Sequence, residues 1–198
     1  MRLDMPELVA PISQHNLPSN WTPFICTWES LMMVWEKLNQ FPILFDDDVR
    51  GDLGHFVKSM TSKDSIILIT GDYGICEISK IVPYRDCQIH VTFWDRRFRG
   101  RDIECVMTLK WVFQTLQLHR ATIRVVSIAH STINFVKALG FKREGVVREK
   151  YLYKGRFLDI HLFGILRDDV FKTEEQDATG ERDYIRNHGQ LGTAPASG

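Results

Sequence analysis

A chain of 198 residues that is 44% hydrophobic and 25% charged is long and apolar enough for one globular domain with its own core. Lysine plus arginine and aspartate plus glutamate number 25 each, so no global field draws the molecule to nucleic acid or to an anionic membrane, and charge-driven binding must be local. The N-terminal MRLDMPELVAP lacks the apolar centre of a signal peptide, and the longest aliphatic run, IILI at 66–69, is far too short for a bilayer. Cys26, Cys76, Cys87 and Cys105 sit in apolar runs without metal-ligand spacing, which suits a reducing cytoplasm.

In chain order, WESLMMVWEKLNQ (28–40) places Leu31, Met32, Trp35 and Leu38 at helical spacing. Val49, Leu53, Phe56, Val57 and Met60 repeat the pattern, with Asp46 to Asp48 as an acidic helix start. SIILITGDYGICEISKIV then gives two β-rich runs around Gly71-Asp72-Tyr73-Gly74, and CQIHVTFW supplies a third, an antiparallel meander. Ile103 to Leu118 reads as a central helix, apolar on most sides, and ATIRVVSI (121–128) as a strand. Ser131 or Thr132 can cap a short helix carrying Ile133, Val136 and Leu139, which Gly140 ends. EGVVREKYLY and RFLDIHLFGIL around Lys154-Gly155 form a closing hairpin. Helices alternating with a mixed sheet imply a three-layer α/β or α+β domain over residues 1–167. From Asp168 onward seven acidic residues stand against three basic ones with few aliphatics, the composition of a mobile tail over 168–198.

The densest feature is FWDRRFRGRDIE (93–104), with four arginines within six residues around Gly100. A solvated turn would explain it, and so would a nucleic-acid contact, although the rest of the chain offers no wider basic surface for one. A third reading is an anion cradle, in which the glycine lets successive amides and the dipole of the following helix face a phosphate. The strand before the glycine and the helix after it are the context such a cradle requires.

A strand, RFRGRD, a long helix, a second strand and STINFVKALGFKREG in that order resemble the GNAT acetyltransferase superfamily, whose pyrophosphate loop reads Q/R-x-x-G-x-G/A. The closing LGFKREGVVRE and KGRFLDIHLFGIL are similar to the branch that includes the ribosomal-protein N-terminal acetyltransferases, Gly155 and Asp159 matching its late G-x-x-x-D. FWDRRFRGR also resembles acetyltransferase-like proteins of tailed phages, which would place the protein in a host cytoplasm. The resemblance spans residues 28–167 and implies a mostly antiparallel sheet split between a parallel fourth and fifth strand, with acetyl-coenzyme A in the split. It implies that Arg97, Phe98, Arg99, Gly100, Arg101 and Asp102 hold the pyrophosphate, that the main chain of Phe93 and Trp94 pairs with the pantetheine arm, and that Thr132 lies beside it. Asp102 stands where glycine or alanine is usual, Ala129 where asparagine is frequent, and Val136 where a tyrosine often serves as acid. A catalytically degenerate binding or inhibitory protein is therefore the alternative to an N-acyltransferase acting on a protein, peptide or small-molecule amine. The oligomeric state is open, a homodimer included.

Acetyl transfer to an amine needs a base, a donor to the carbonyl and an acid for the thiolate. Alternation along 86–94 puts Asp86, Gln88, His90, Thr92 and Trp94 on one face, and a polar face on a strand covered by helices suggests a substrate channel. His90 is the leading base because an imidazole titrates near neutral pH, and Asp86 is the alternative; a hydrogen-bonded core histidine and a turn aspartate are the structural explanations. Ser131 and Thr132 are the acid candidates nearest the expected sulfur, Tyr151 and Tyr153 weaker ones, and Glu77 could approach the same groove. Trp28, Trp35 and Trp111 fit helix packing positions.

Overall fold

Local chemistry sets the helix starts. In the computed structural model, which describes residues 17, 20–71, 73–95 and 101–171, helix α1 (Trp28–Asn39) begins at a reciprocal cap. The Ser30 amide donates to Thr27 Oγ1 at 3.1 Å and the Thr27 amide to Ser30 Oγ at 2.9 Å, satisfying two otherwise orphaned donors. Helix α2 (Leu53–Met60) starts at Asp52, whose Oδ1 accepts from the His55 amide at 2.9 Å. Asp46 to Asp48 therefore do not open that helix: they lie in the connection between α1 and α2, after a 3-10 turn at Pro42–Leu44.

Seven strands form one sheet: β1 (Thr22–Pro23), β2 (Ile66–Thr70), β3 (Gly74–Val82), β4 (Asp86–Phe93), β5 (Arg120–Val126), β6 (Lys142–Tyr153) and β7 (Arg156–Leu166), in spatial order β1-β2-β3-β4-β5-β7-β6. Every neighbouring pair is antiparallel except β4 and β5, which are parallel. The meander and the closing hairpin stand as the sequence implies, the latter turning through Lys154 and Gly155, both at positive φ (49° and 69°), as a two-residue hairpin turn requires. The two-residue β1 carries no period-2 pattern in the sequence.

The layers follow from the alternation. On one face Leu31, Val34 and Phe56 of α1 and α2 cover Ile75 and Trp94. On the other, helices α3 (Arg101–Thr115) and α4 (His130–Ala138) bury Leu109, Val112, Phe113, Ile133 and Val136 against Cys76, Ile78, Cys87, Ile89, Ile123 and Phe163. Each such large side chain contributes about 1.5–3 kcal/mol by leaving water. The mobile tail read over 168–198 is corrected at its start, where Val170 is buried with this second core; residues 172–198 lie outside the described residues. Two sequence expectations are corrected at the surface. Trp28, the first residue of α1, is 63% exposed rather than packed, and Cys26 is exposed.

The feature that positions a site is the parting of β4 from β5. They pair only at Asp86, Cys87 and Gln88 with Arg120, Ala121 and Thr122. Beyond that, β4 stays with β3 up to Phe93 opposite Gly74, and β5 stays with β7 up to Val126 opposite Ile160. Each half keeps its own twist, so the strands diverge into a V whose vertex is at Gln88 and Thr122. Gly74 holds β4 against β3: a Cβ there would sit 2.6 Å from the Thr92 carbonyl oxygen and 2.7 Å from the Phe93 ring.

Candidate active site

The mouth of the V is where the two helices of the second face begin. Helix α3 starts at Arg101, and Arg101 crosses to α4, its guanidinium 5.7 Å from the centre of the Phe135 ring. Helix α4 starts at Ala129, which makes no side-chain cap. The expected cap by Ser131 or Thr132 is corrected: the helix begins ahead of both, leaving their hydroxyls exposed in its first turn. Two helix N-termini with their positive dipole ends thus flank the mouth, and the first-turn amides of α4 receive no capping oxygen from their own segment. A diphosphate supplies the acceptor oxygens such a place lacks, so the donor set fits coenzyme A. Of the predicted loop, Arg97, Phe98, Arg99 and Gly100 lie outside the described residues; Arg101 and Asp102 are the exposed first residues of α3.

The split edge itself comes from backbone alternation. The Trp94 amide donates to the Tyr73 carbonyl at 2.9 Å, toward β3. Main-chain groups alternate sides along a strand, so those of Ile89, Val91 and Phe93 face the split. Phe93 is thus on the side expected for pairing with a pantetheine arm. Trp94 is corrected in this respect, since its amide serves β3 and its indole is buried among the residues under α1 and α2.

The opposite face carries the polar residues of β4. His90 is the first of them past the last β4–β5 pair, so its ring stands at the vertex, and Glu77 of β3 is directly opposite it in the register. The ring is exposed on this face, with neighbouring protein atoms partly desolvating it. That desolvation holds its pKa below the ordinary imidazole value, and the Glu77 carboxylate offsets part of the effect. Ser65 Oγ lies 3.5 Å from Glu77 Oε1. Asp86, the alternative base, shares the face but sits at the closed end of β4, about 13 Å along the strand from His90. There its Oδ1 accepts from Thr122 Oγ1 at 3.3 Å and its Oδ2 lies 3.7 Å from Arg120 Nε, so it ties the two parallel strands together.

Residues far apart in sequence wall this face. The Tyr151 hydroxyl donates to the Ile43 carbonyl at 2.7 Å, and burial, with Asp46 beside it, pushes its pKa up. Asp46 Oδ2 accepts from the Leu152 amide and Asp47 Oδ2 from the Gly155 amide, each at 2.8 Å, while the Asp47 amide donates to the Leu152 carbonyl. The Gly155 amide holds the Asp47 carboxyl below the usual range, Arg50 adding its ion pair at 2.7 Å. Tyr153 receives the Arg50 guanidinium over its ring at 4.9 Å. Asp159, picked from the sequence for its spacing after Gly155, accepts the Glu149 amide at 2.9 Å and so pins the bulge in β6 where Glu149 has φ 50°.

Sequence reasoning missed Glu104, the buried acid in the first turn of α3. Its Oε1 accepts from the Asn20 side chain, and its Oε2 has no partner among the described residues. An acid placed inside the apolar run of a helix was the available signal. Val136, at the position of the family's tyrosine, is 3% exposed and belongs to the core. Among the described residues no cluster could hold a metal ion, and no helix is long and apolar enough to cross a membrane.

No protein-family model and no curated protein sequence matches the chain. Solved structures do. A spermidine N-acetyltransferase variant from Vibrio cholerae superposes with a TM-score of 0.62 at 16% identity, over 79% of this chain and 99% of that one. The spermidine N-acetyltransferase of the same organism in complex with CoA and spermine gives 0.62 at 16% identity, over 77% and 99%. A dodecameric structure of that enzyme gives 0.60 at 16% identity, over 78% and 98%. The chain thus has the GNAT fold, with the parallel β4–β5 pair in a mostly antiparallel sheet.

Proposed function

We propose that this protein is an acetyl-coenzyme-A-dependent N-acyltransferase acting on an amine. One observation carries the reading: the β4–β5 split opens between the start of α3 and an α4 that has no side-chain cap, with a histidine at the vertex on the opposite face. When bound, acetyl-coenzyme A supplies an acyl group activated as a thioester. Transfer forms the amide C–N bond as the C–S bond breaks, and the thiolate leaves with the electron pair.

The chain's own residues supply the rest. Arg97 to Asp102 hold the diphosphate end through main-chain amides, with Thr132 beside the pantetheine arm. The main-chain groups of Ile89, Val91 and Phe93 serve the arm along the split. His90 takes the proton that the amine must lose, and Glu77 orients the ring and favours the imidazolium that forms, as a carboxylate behind a base does. Ser131 and Thr132 stand where the α4 dipole lowers the energy of a nearby thiolate, and either hydroxyl can relay its proton. The 42–50 segment, bonded to the β6–β7 hairpin, walls the amine side.

The amine-binding partners of this fold range from polyamines, as in the Vibrio cholerae enzyme, to peptide N-termini, as the LGF and G-x-x-x-D motifs suggest. Placement in the ribosomal-protein branch, a tailed-phage origin, a cytoplasmic setting and a homodimer are the finer parts of this reading and rest on the sequence motifs. The alternative, a binding protein without chemistry, is favoured by Val136, since burial leaves no acid at that position. Titration with coenzyme A, followed by acetyl transfer to a panel of polyamines and peptides, separates the two. Binding with turnover supports the enzyme; binding without turnover on any amine supports the alternative; failure of Gly100→Val to weaken binding overturns the loop assignment.

A further inference from the structure

Helix packing fixes which residues of β5 look toward the amine side. Ala121, Ile123 and Val125 are buried in the core that α3 and α4 cover, so alternation turns Arg120, Thr122 and Arg124 to the face that carries His90. The last β4–β5 pair is Gln88 with Thr122, and two residues further along each arm stand His90 and Arg124. They occupy the same level of this face on opposite arms of the V.

The two arginines of β5 are held differently. Arg120 is compensated: its Nη2 lies 2.6 Å from Glu144 Oε2 and its Nε 3.7 Å from Asp86 Oδ2. Those carboxylates are engaged about 13 Å back along the strand from Arg124. Arg124 is half-buried, its Nε is covered and has no acceptor among the described residues, and none of the ion pairs there includes it. Its neighbours on this face supply no anion. Leu162 of β7 is directly opposite, Gly145 of β6 lies beyond Leu162, Val126 follows on β5, and Thr122 donates its hydroxyl to Asp86. The remaining side is that of the split.

A guanidinium stays charged at any physiological pH, and a covered one without an anion is costly. A carboxylate entering the split would remove that cost, since the planar fork takes it through two parallel charge-assisted bonds. Glu77 of β3 stands on the other side of His90. The base thus has a negative group on one side and a positive one on the other, an order that matches an acceptor with an ammonium and a carboxylate a few bonds apart. A polyamine has nothing to offer Arg124 and meets its charge as repulsion.

Resting on the N-acyltransferase reading above, we propose that the acceptor is a small zwitterionic amine, an amino acid or a close analogue, whose carboxylate is held by Arg124 while His90 takes the proton from its amine. Bonds of this kind make the carboxylate worth about ten- to a hundredfold in kcat/KM.

The test is acetyl transfer from acetyl-coenzyme A to glycine, alanine, β-alanine and 4-aminobutyrate, each beside its own primary amide, with spermidine as the purely cationic acceptor. The amide members have less basic amines and are the better free nucleophiles near neutral pH, so any preference for the carboxylate must come from the protein. The best carboxylate acceptor should exceed its amide by about ten- to a hundredfold, mainly through KM. In Arg124→Met that ratio should collapse toward one, and in Arg124→Lys, which keeps the charge without the fork, it should fall between. Coenzyme A titration verifies that each variant is folded, and Arg124→Lys carries the comparison should the methionine variant fail to fold. Calorimetric titration of the same amines into protein saturated with coenzyme A should give the same order without turnover. Amides or spermidine used as well as the carboxylates, or a ratio unchanged in the variants, overturns this inference and leaves the N-acyltransferase reading standing. Absence of transfer to every amine overturns both.

Discussion

Replacing His90 by glutamine tests the base assignment with little else disturbed. Glutamine keeps the length and a hydrogen-bonding end but cannot take a proton near neutral pH. The side chain lies on the face away from α3 and α4, so coenzyme affinity should stay within twofold or threefold. A positioned general base contributes about 10²–10⁴ in rate, so kcat/KM for the amine should drop by that factor, about 2.7–5.4 kcal/mol of transition-state stabilisation. The pH profile carries the sharper expectation. Desolvation puts the His90 pKa below its ordinary value, so the base is already neutral at pH 7, and the acid limb of kcat/KM should fall below about pH 6.5. Glu77 raises that pKa, so Glu77→Gln should move the limb to still lower pH, and His90→Gln should abolish it. The same ionisation bears on stability with a defined sign. Between the folded pKa and the unfolded value near 6.5 the unfolded chain binds more protons, so stability is lost as pH falls through that window, and the glutamine variant should lose less. A His90→Gln protein with kcat/KM within threefold of wild type, or with an unchanged acid limb, would refute the assignment.

Gly74→Ala should cost about 1–3 kcal/mol, because its Cβ meets the Thr92 backbone at 2.6 Å, and should weaken coenzyme binding by displacing the end of β4; thermal denaturation and calorimetry check both. Tyr151→Phe removes the 2.7 Å bond to the Ile43 carbonyl, so stability should fall by about 1 kcal/mol and the amine KM should rise, with coenzyme affinity unchanged. Asp102→Ala removes an exposed acid from the first turn of α3; denaturant melts should show about 0.3–1 kcal/mol lost and titration an equal or slightly weaker coenzyme affinity. A tenfold gain in affinity instead would mark Asp102 as repelling the diphosphate and favour the non-catalytic alternative.

What could be read from the sequence divides along the same line as the two faces of the site. The side proposed for the donor is built from neighbours in the chain: β4 precedes α3 and β5 precedes α4, so period-2 alternation placed His90 and Phe93 on opposite faces and helical spacing placed Leu109 and Ile133 in the core. The errors on this side are local too. Ser131 and Thr132 looked like caps by residue type, yet the helix starts at Ala129, and that vacancy in the cap is itself what suits the mouth to an anion. The face proposed for the amine is stitched from residues more than a hundred positions apart, Asp46 to Leu152, Asp47 to Gly155 and Ile43 to Tyr151. Asp46 to Asp48 read naturally as a helix start because nothing within a few residues announces a partner in a distant hairpin. Trp21 reaching the foot of the split, and Asn20 reaching Glu104, are long-range in the same way. Contacts of this kind can be exchanged without altering β4 or α3, so substitutions in 42–50 and 149–155 are where amine selectivity should change while the proposed coenzyme site stays as it is.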